Sequence, residues 1–199
     1  HKDRRIRLEA QYALAEKKAR DELLHAAIQQ ISTGDSYLSR LKRIHGIWGL
    51  MQIGTEPSIL PLLEDEDSEI RAQTAKSLGN RKNTWATKHL EKALHDQSLR
   101  VQYFAAMSLG KLGLGSVTSL LQLLEKNADK DRWIRHAASF ALSKRATSQG
   151  LASLRNHPSE SVRLGCVLAL RHQNSSLLTN YLNDSNSLIA AEAARAIYD

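Results

Sequence analysis

The chain has 199 residues, 28 Lys+Arg against 21 Asp+Glu, with 42% apolar and 5% aromatic residues. Three prolines and ten glycines argue against collagen, a β-sandwich or a disordered tail, and no apolar run approaches the ~18 residues a membrane helix needs. The single cysteine, Cys166, excludes an internal disulfide framework, a cysteine-cage zinc site and covalent c-type haem attachment.

Taken in chain order, two kinds of helix alternate. HKDRRIRLEAQYALA (1–15) is followed by the apolar ARDELLHAAIQQI (19–31), then YLSRLKRIHGIWGLM (37–51) and EPSILPLLE (56–64). DEDSEIRAQTAKSLG (65–79) precedes ATKHLEKAL (86–94), and DQSLRVQYFAAMSLG (96–110) precedes SVTSLLQLLEK (116–126). DKDRWIRHAASFALS (129–143), GLASLRNH (150–157), HPSESVRLGCVLALR (157–171), SLLTNYL (176–182) and DSNSLIAAEAARAI (184–197) complete the series. The longer segments share one frame. Its arginine slot holds Arg7, Arg43, Arg71, Gln102, Arg135, Arg163 and Ala190, at intervals of 36, 28, 31, 33, 28 and 27 residues. Within it, Ile70, Thr74, Ala75 and Leu78 fall on one helical face. Small residues recur mid-helix at Ala10, Ala75, Ala106, Ala138 and Ala193, where a large side chain would push neighbours apart. Ser68, Ser98, Ser159 and Ser187 stand where these helices should be N-capped.

A repeat of about thirty residues, read as a short helix A and a motif-bearing helix B, predicts an α-solenoid. With an acid six residues before an arginine and Ala, Leu and Gly after it, the chain resembles HEAT repeats over almost its whole length. The resemblance implies an all-α, right-handed α-α superhelix of about seven helix-B units, one solenoid over 1–199. Helix B is expected near 3–15, 37–53, 67–79, 98–110, 131–143, 159–171 and 186–198. It also implies an Asp–Arg ladder, with Asp65/Arg71 and Asp129/Arg135 intact. Gln102 and Ala190 lose the arginine, while His157, His1 and Tyr37 lose the acid.

RRIRLEAQYALAE (4–16) and RIHGIWGLMQIG (43–54) more narrowly resemble the HEAT segment of planctomycete-type secreted haem-binding dehydrogenase-like proteins. That resemblance implies a propeller before the array, a CxxCH cytochrome domain after it, and a periplasmic or extracytoplasmic place. The chain itself contains no CxxCH. It opens on a helix B and closes on one, so an excerpt of a longer polypeptide is expected.

If helices B line the concave side, the slots one and five beyond the arginine face outward. They pair Leu8 with Tyr12, Ile44 with Trp48, Tyr103 with Met107, His136 with Phe140, and Leu164 with Leu168. Large exposed apolar rows mark interfaces, so this stripe is a candidate docking surface for a protein. The competing reading is ordinary core, buried between units by tight curvature.

Charge bears on nucleic acid. Ten basic against six acidic residues fall in 1–50, seven against eight in 51–100, seven against three in 101–150, and four against four thereafter. Only Lys76 and Arg195 in the stripe slots are basic, whereas a phosphate-binding face needs rows of them. The clusters around Lys17, Arg40 and Lys126 read as a solvated rim.

Chemistry is thin. Eight histidines show no HExxH, and His89 and His95 are expected on different helix sides. Cys166 reads as core, the acidic run at 64–69 lacks a calcium-loop pattern, and Trp85 and Trp133 read as packing anchors between units. No catalytic, cofactor or metal residue is expected in this segment. The function read from sequence is a non-catalytic scaffold binding a flanking domain or separate polypeptide. A nucleic-acid-binding or DNA-repair protein, and a lyase or chaperone acting on a cofactor-bearing partner, are the alternatives.

Overall fold

The computed structural model describes residues 1–29, 36–54 and 57–198. Among them every regular element is a helix. The seven motif copies fold as α1 (Arg4–Glu16), α3 (Ser36–Ile53), α4 (Ser68–Asn80), α6 (Leu99–Leu112), α8 (Arg132–Arg145), α10 (Glu160–His172) and α11 (Ser187–Tyr198). Each packs on the next in chain order, the nearest-neighbour arrangement of a solenoid.

The intervening helices are α2 (Arg20–Ile28), α5 (Thr87–Ala93), α7 (Val117–Asn127) and α9 (Ser148–Ser153). Two expected A helices are instead 3-10 turns, Pro57–Glu64 and Ser176–Tyr181. Pro61 explains the first, because an interior proline removes an amide donor and crowds the preceding turn. Nothing in the structure explains the second, since α9 is α-helical at the same length of 6 residues.

Helix starts also differ from expectation. Ser159 caps α10 by accepting from the Val162 amide, but Ser98 makes no side-chain cap bond. Ser68 and Ser187 are already the first helical residues. Asp67 caps α4 by accepting from the Glu69 amide, and Asn186 accepts from the Leu188 amide. A carboxylate has the same short reach as serine and adds charge at the helix N-terminus. Gly113, at φ 64°, closes α6 in the left-handed conformation that glycine adopts without steric cost.

One continuous core runs along the array. Ala75, Ala106, Ala138 and Ala193 are fully buried where helices approach most closely, while Ala10 is exposed. Tyr181 is the bulkiest wholly buried side chain, and its hydroxyl donates to the Leu151 carbonyl at 2.7 Å. Cys166 lies beside it, fully buried, and burial pushes its thiol up to about 12. Only the thiolate reacts readily. A thiol-disulfide reagent at pH 8 is therefore expected to label Cys166 only after denaturant is added. Labelling of the native chain at the rate of a free thiol would contradict its burial.

Candidate interaction surface

The Asp–Arg ladder runs one unit further than the pairing Asp65/Arg71. Arg71 donates through Nε and Nη2 to both oxygens of Asp96, at 2.7 and 2.8 Å. Arg163 grips Asp184 the same way, at 2.8 and 3.0 Å. Arg43, expected to lack a partner, pairs with Asp65 through both terminal nitrogens and donates to the Ala27 carbonyl. Each link joins an arginine to the aspartate of the following unit.

The slot six before the arginine serves by its backbone. Arg71 Nη1 donates to the Asp65 carbonyl, Arg163 Nη1 to the His157 carbonyl, and Gln102 Nε2 to the Asp96 carbonyl. Any residue supplies that oxygen, so His157 does not break the contact. His157 Nδ1 also accepts from the Ser159 amide, as Asp96 Oδ1 does from Ser98. Histidine keeps the turn acceptor and loses only the charge. Arg135 has no acid ahead of it, because His157 occupies that slot. It turns back to Asp129 within its own unit, in a half-exposed pair.

Burial pushes the carboxyls of Asp96 and Asp184 up, but the facing guanidinium and a backbone amide overcome it and hold both below the ordinary carboxylate range. The aspartate bond in turn raises Arg71 and Arg163. His89 and His95, expected on different sides, line one open cleft with Lys92 and Arg71. Among the described residues no group of three or more His, Cys, Asp or Glu could hold a metal.

The first junction is held by neutral chemistry. His45 Nδ1 lies 2.7 Å from Gln11 Oε1, and Arg7 Nε donates to His45 Nε2 at 3.3 Å. This set requires the Nδ1–H tautomer, since Arg7 can only donate. Burial first, then the charges of Arg7 and Arg4, lower the His45 pKa from 6.5. A depressed histidine adds stability above its unfolded pKa and loses it as pH falls below. The unfolding midpoint is expected to drop as pH falls from about 6.5, with His172, also lowered, contributing in the same sense. His45→Gln should shrink that drop in a pH series of thermal melts; an unchanged pH dependence would contradict the assignment.

The apolar stripe lies neither wholly in the core nor wholly in solvent. Ile44 is buried, Trp48, Tyr103, Met107, Phe140, Leu164 and Leu168 are half-buried, and Tyr12 and His136 are exposed. Trp48 donates from Nε1 to Gln73 Oε1 at 3.0 Å. Phe140 fits over Gly110, where an added Cβ would meet its ring at 2.6 Å. Trp133 is not a packing anchor. It is 57% exposed, stacks under the Arg132 guanidinium, and lies edge-on to Tyr103. Trp85 is likewise exposed. Both sit at a helix start. Leu99, Arg100, Tyr103, Asp131 and Trp133 surround an open depression of about 450 Å³.

Residues 56–143 match the family model for HEAT repeats. The matched stretch, under half of the chain, is similar to HEAT repeats, and the sequential helix packing agrees with a HEAT-type helical solenoid. No curated protein matches the chain. HEAT repeats commonly mediate protein interactions, and no described helix is long and apolar enough to cross a membrane.

Proposed function

We propose that this chain is a non-catalytic HEAT scaffold whose helix-B ridge holds a partner polypeptide. One observation carries the reading. Consecutive helices α6, α8 and α10 leave Tyr103, Met107, Phe140, Leu164 and Leu168 half in solvent, continuous with the exposed Leu99 and Trp133. Apolar area left open over several neighbouring helices gains stabilisation only when something covers it. Panning a displayed peptide library against the chain is expected to enrich binders that lose at least about tenfold in affinity on Tyr103→Ala with Trp133→Ala. Trp133→Ala alone, at an exposed side chain, should leave the unfolding midpoint in place. Tyr103 is half-buried and its removal should lower the midpoint by a few degrees, so binding is compared at a temperature where circular dichroism shows the double variant folded. Failure to enrich any binder, or binders indifferent to both changes, overturns the reading.

A nucleic-acid role fits less well. Glu69, Asp131 and Glu160 stand in or just before the first turns of α4, α8 and α10, and a second phosphate strand crossing that edge would meet them. The dehydrogenase-like context rests on residues 4–16 and 43–54 alone. It predicts a propeller and a CxxCH domain encoded in the same reading frame, and a frame without either removes it.

A further inference from the structure

A second row lies beside the apolar one. Nine residues beyond the arginine slot, one helical turn past the slot at five, stand Glu16 in the first unit, Asp199 in the seventh, and between them Gln52, Asn80, Lys111, Lys144 and His172. The last three are exposed, and each follows an apolar residue four positions earlier: Met107, Phe140 and Leu168. Such i,i+4 pairs share one face of a helix. Since α6, α8 and α10 are stacked in sequence, the pairs form two parallel lines, one apolar and one of two lysines ending in His172.

The two lines touch. Lys144 Nζ lies 5.8 Å from the Phe140 ring centroid, and the Phe140 and His172 rings are 6.4 Å apart. Lys76 joins from α4, its Nζ 5.6 Å over the Phe104 ring. Lys76, Lys111 and Lys144 make no ion pair among the described residues, and the last turns of α6, α8 and α10 contain no acid. The positive charges crowd one another. Burial and then Lys76 lower the Lys111 ammonium, while burial and then His136, Lys144 and Arg171 lower His172. Helix dipoles favour cations at C-terminal ends, but they give no reason for a half-open apolar line alongside.

We infer that this edge binds an acidic amphipathic peptide segment, its apolar side chains on Met107, Phe140 and Leu168, its carboxylates on Lys111 and Lys144, and a hydrogen-bond acceptor on the His172 ring. The inference rests on the scaffold reading above and adds the chemistry of the partner. Packed helices lie about 8–10 Å apart. Carboxylates seven residues apart on a helix are spaced by about 10.5 Å, so successive carboxylates reach Lys111 and Lys144 on adjoining units. The acids Glu69, Asp131 and Glu160 at the opposite ends of the helices fix its position along the cationic edge by repulsion.

Fluorescence anisotropy of the full chain with a labelled peptide of glutamate and leucine at helical spacing tests this. Binding is expected to weaken several-fold between about 50 and about 200 mM salt. Lys111→Glu with Lys144→Glu should weaken it about tenfold or more, and Lys111→Gln with Lys144→Gln by less. Lys17→Glu with Lys18→Glu, equally exposed but remote, should leave it unchanged. All four lysines face solvent, so a retained melting midpoint verifies folding. Equal affinity for a peptide with glutamine in place of each glutamate overturns the inference, as does tighter binding of labelled duplex DNA. If the glutamine peptide binds equally and is lost on Tyr103→Ala with Trp133→Ala, the acidic partner fails and the scaffold stands. No binding by either peptide, together with a failed panning experiment, sinks both.

Discussion

Replacing Gly46 with leucine is expected to lower the unfolding free energy by about 3 kcal/mol or more, read as a fall in the urea midpoint at unchanged slope. Gly46 lies where α3 crosses α2. A Cβ there would sit 2.6 Å from the Ala27 nitrogen and 2.7 Å from the Leu23 carbonyl oxygen. Both are backbone atoms of a helix, so neither can rotate away, and the helices must separate. Leu23, Ala27 and Ile47 are wholly buried around the crossing, and separation opens voids beside them, adding a cavity cost to the overlap. Gly150→Ala is the matched control. Its nearest neighbour is the Thr147 hydroxyl at 3.1 Å, on an exposed face of α9. There alanine should be neutral or stabilise by up to about 0.5 kcal/mol through helix propensity. Equal effects at the two sites would contradict the close approach of α2 and α3.

The second large effect is expected at Asp184. Its side chain is 1% exposed and that of Arg163 8%, so Asp184→Ala strands a guanidinium with little water around it. Breaking such a pair costs about 3 kcal/mol. Asp129→Ala, in the half-exposed pair with Arg135, should cost about 0.5 kcal/mol. The carboxylates also set the acid limit. Asp96 and Asp184 have folded pKa values below 3.8. Their contribution is complete above the unfolded value and disappears as pH falls through the depressed ones. Acid unfolding should therefore steepen below about pH 4. Asp96→Asn with Asp184→Asn should flatten that limb while preserving the turn acceptors. A titration unchanged by the double substitution would remove the links as the source.

Much of this is legible in the amino-acid string. A helix B recurs wherever an arginine slot is followed by buried residues at helical spacing, and Ile70, Ala75 and Leu78 are all fully buried. The A helices are less legible, because Pro61 diverts 57–64 into a 3-10 turn and 176–181 forms another. Neither change disturbs apolar content, which is what the pattern reports. The ladder is readable once its direction is known: a link forms where an arginine and the next unit's aspartate coexist. Matching each arginine to the acid six residues earlier misses this, since that slot contributes a carbonyl that no side chain reveals.

The stripe is a mixed case. Slots one and five beyond the arginine locate Trp48, Met107 and Phe140 on the half-buried ridge, yet Ile44 lies inside and His136 outside. The frame assumes identical rotation of every helix, and the intervals of 27 to 36 residues already show that the units are not identical. Trp133 misleads for a different reason: an aromatic at a helix start looks like an anchor, but this one is 57% exposed. The line of Lys111, Lys144 and His172 escapes notice because it sits a turn beyond the slots that carry the motif.

Among the described residues four arginine–aspartate links join one unit to the next: Arg40–Asp67, Arg43–Asp65 and Arg71–Asp96 between α3 and the turn before α6, and Arg163–Asp184 between α10 and the turn before α11. Among those residues none joins the units from α6 to α10. That stretch is held by packing such as Phe140 on Gly110, and by bonds such as Ser161 Oγ to the Leu124 carbonyl. Acid that protonates the aspartates therefore releases fastenings outside this stretch, while the ridge proposed to dock a partner keeps the packing that holds it.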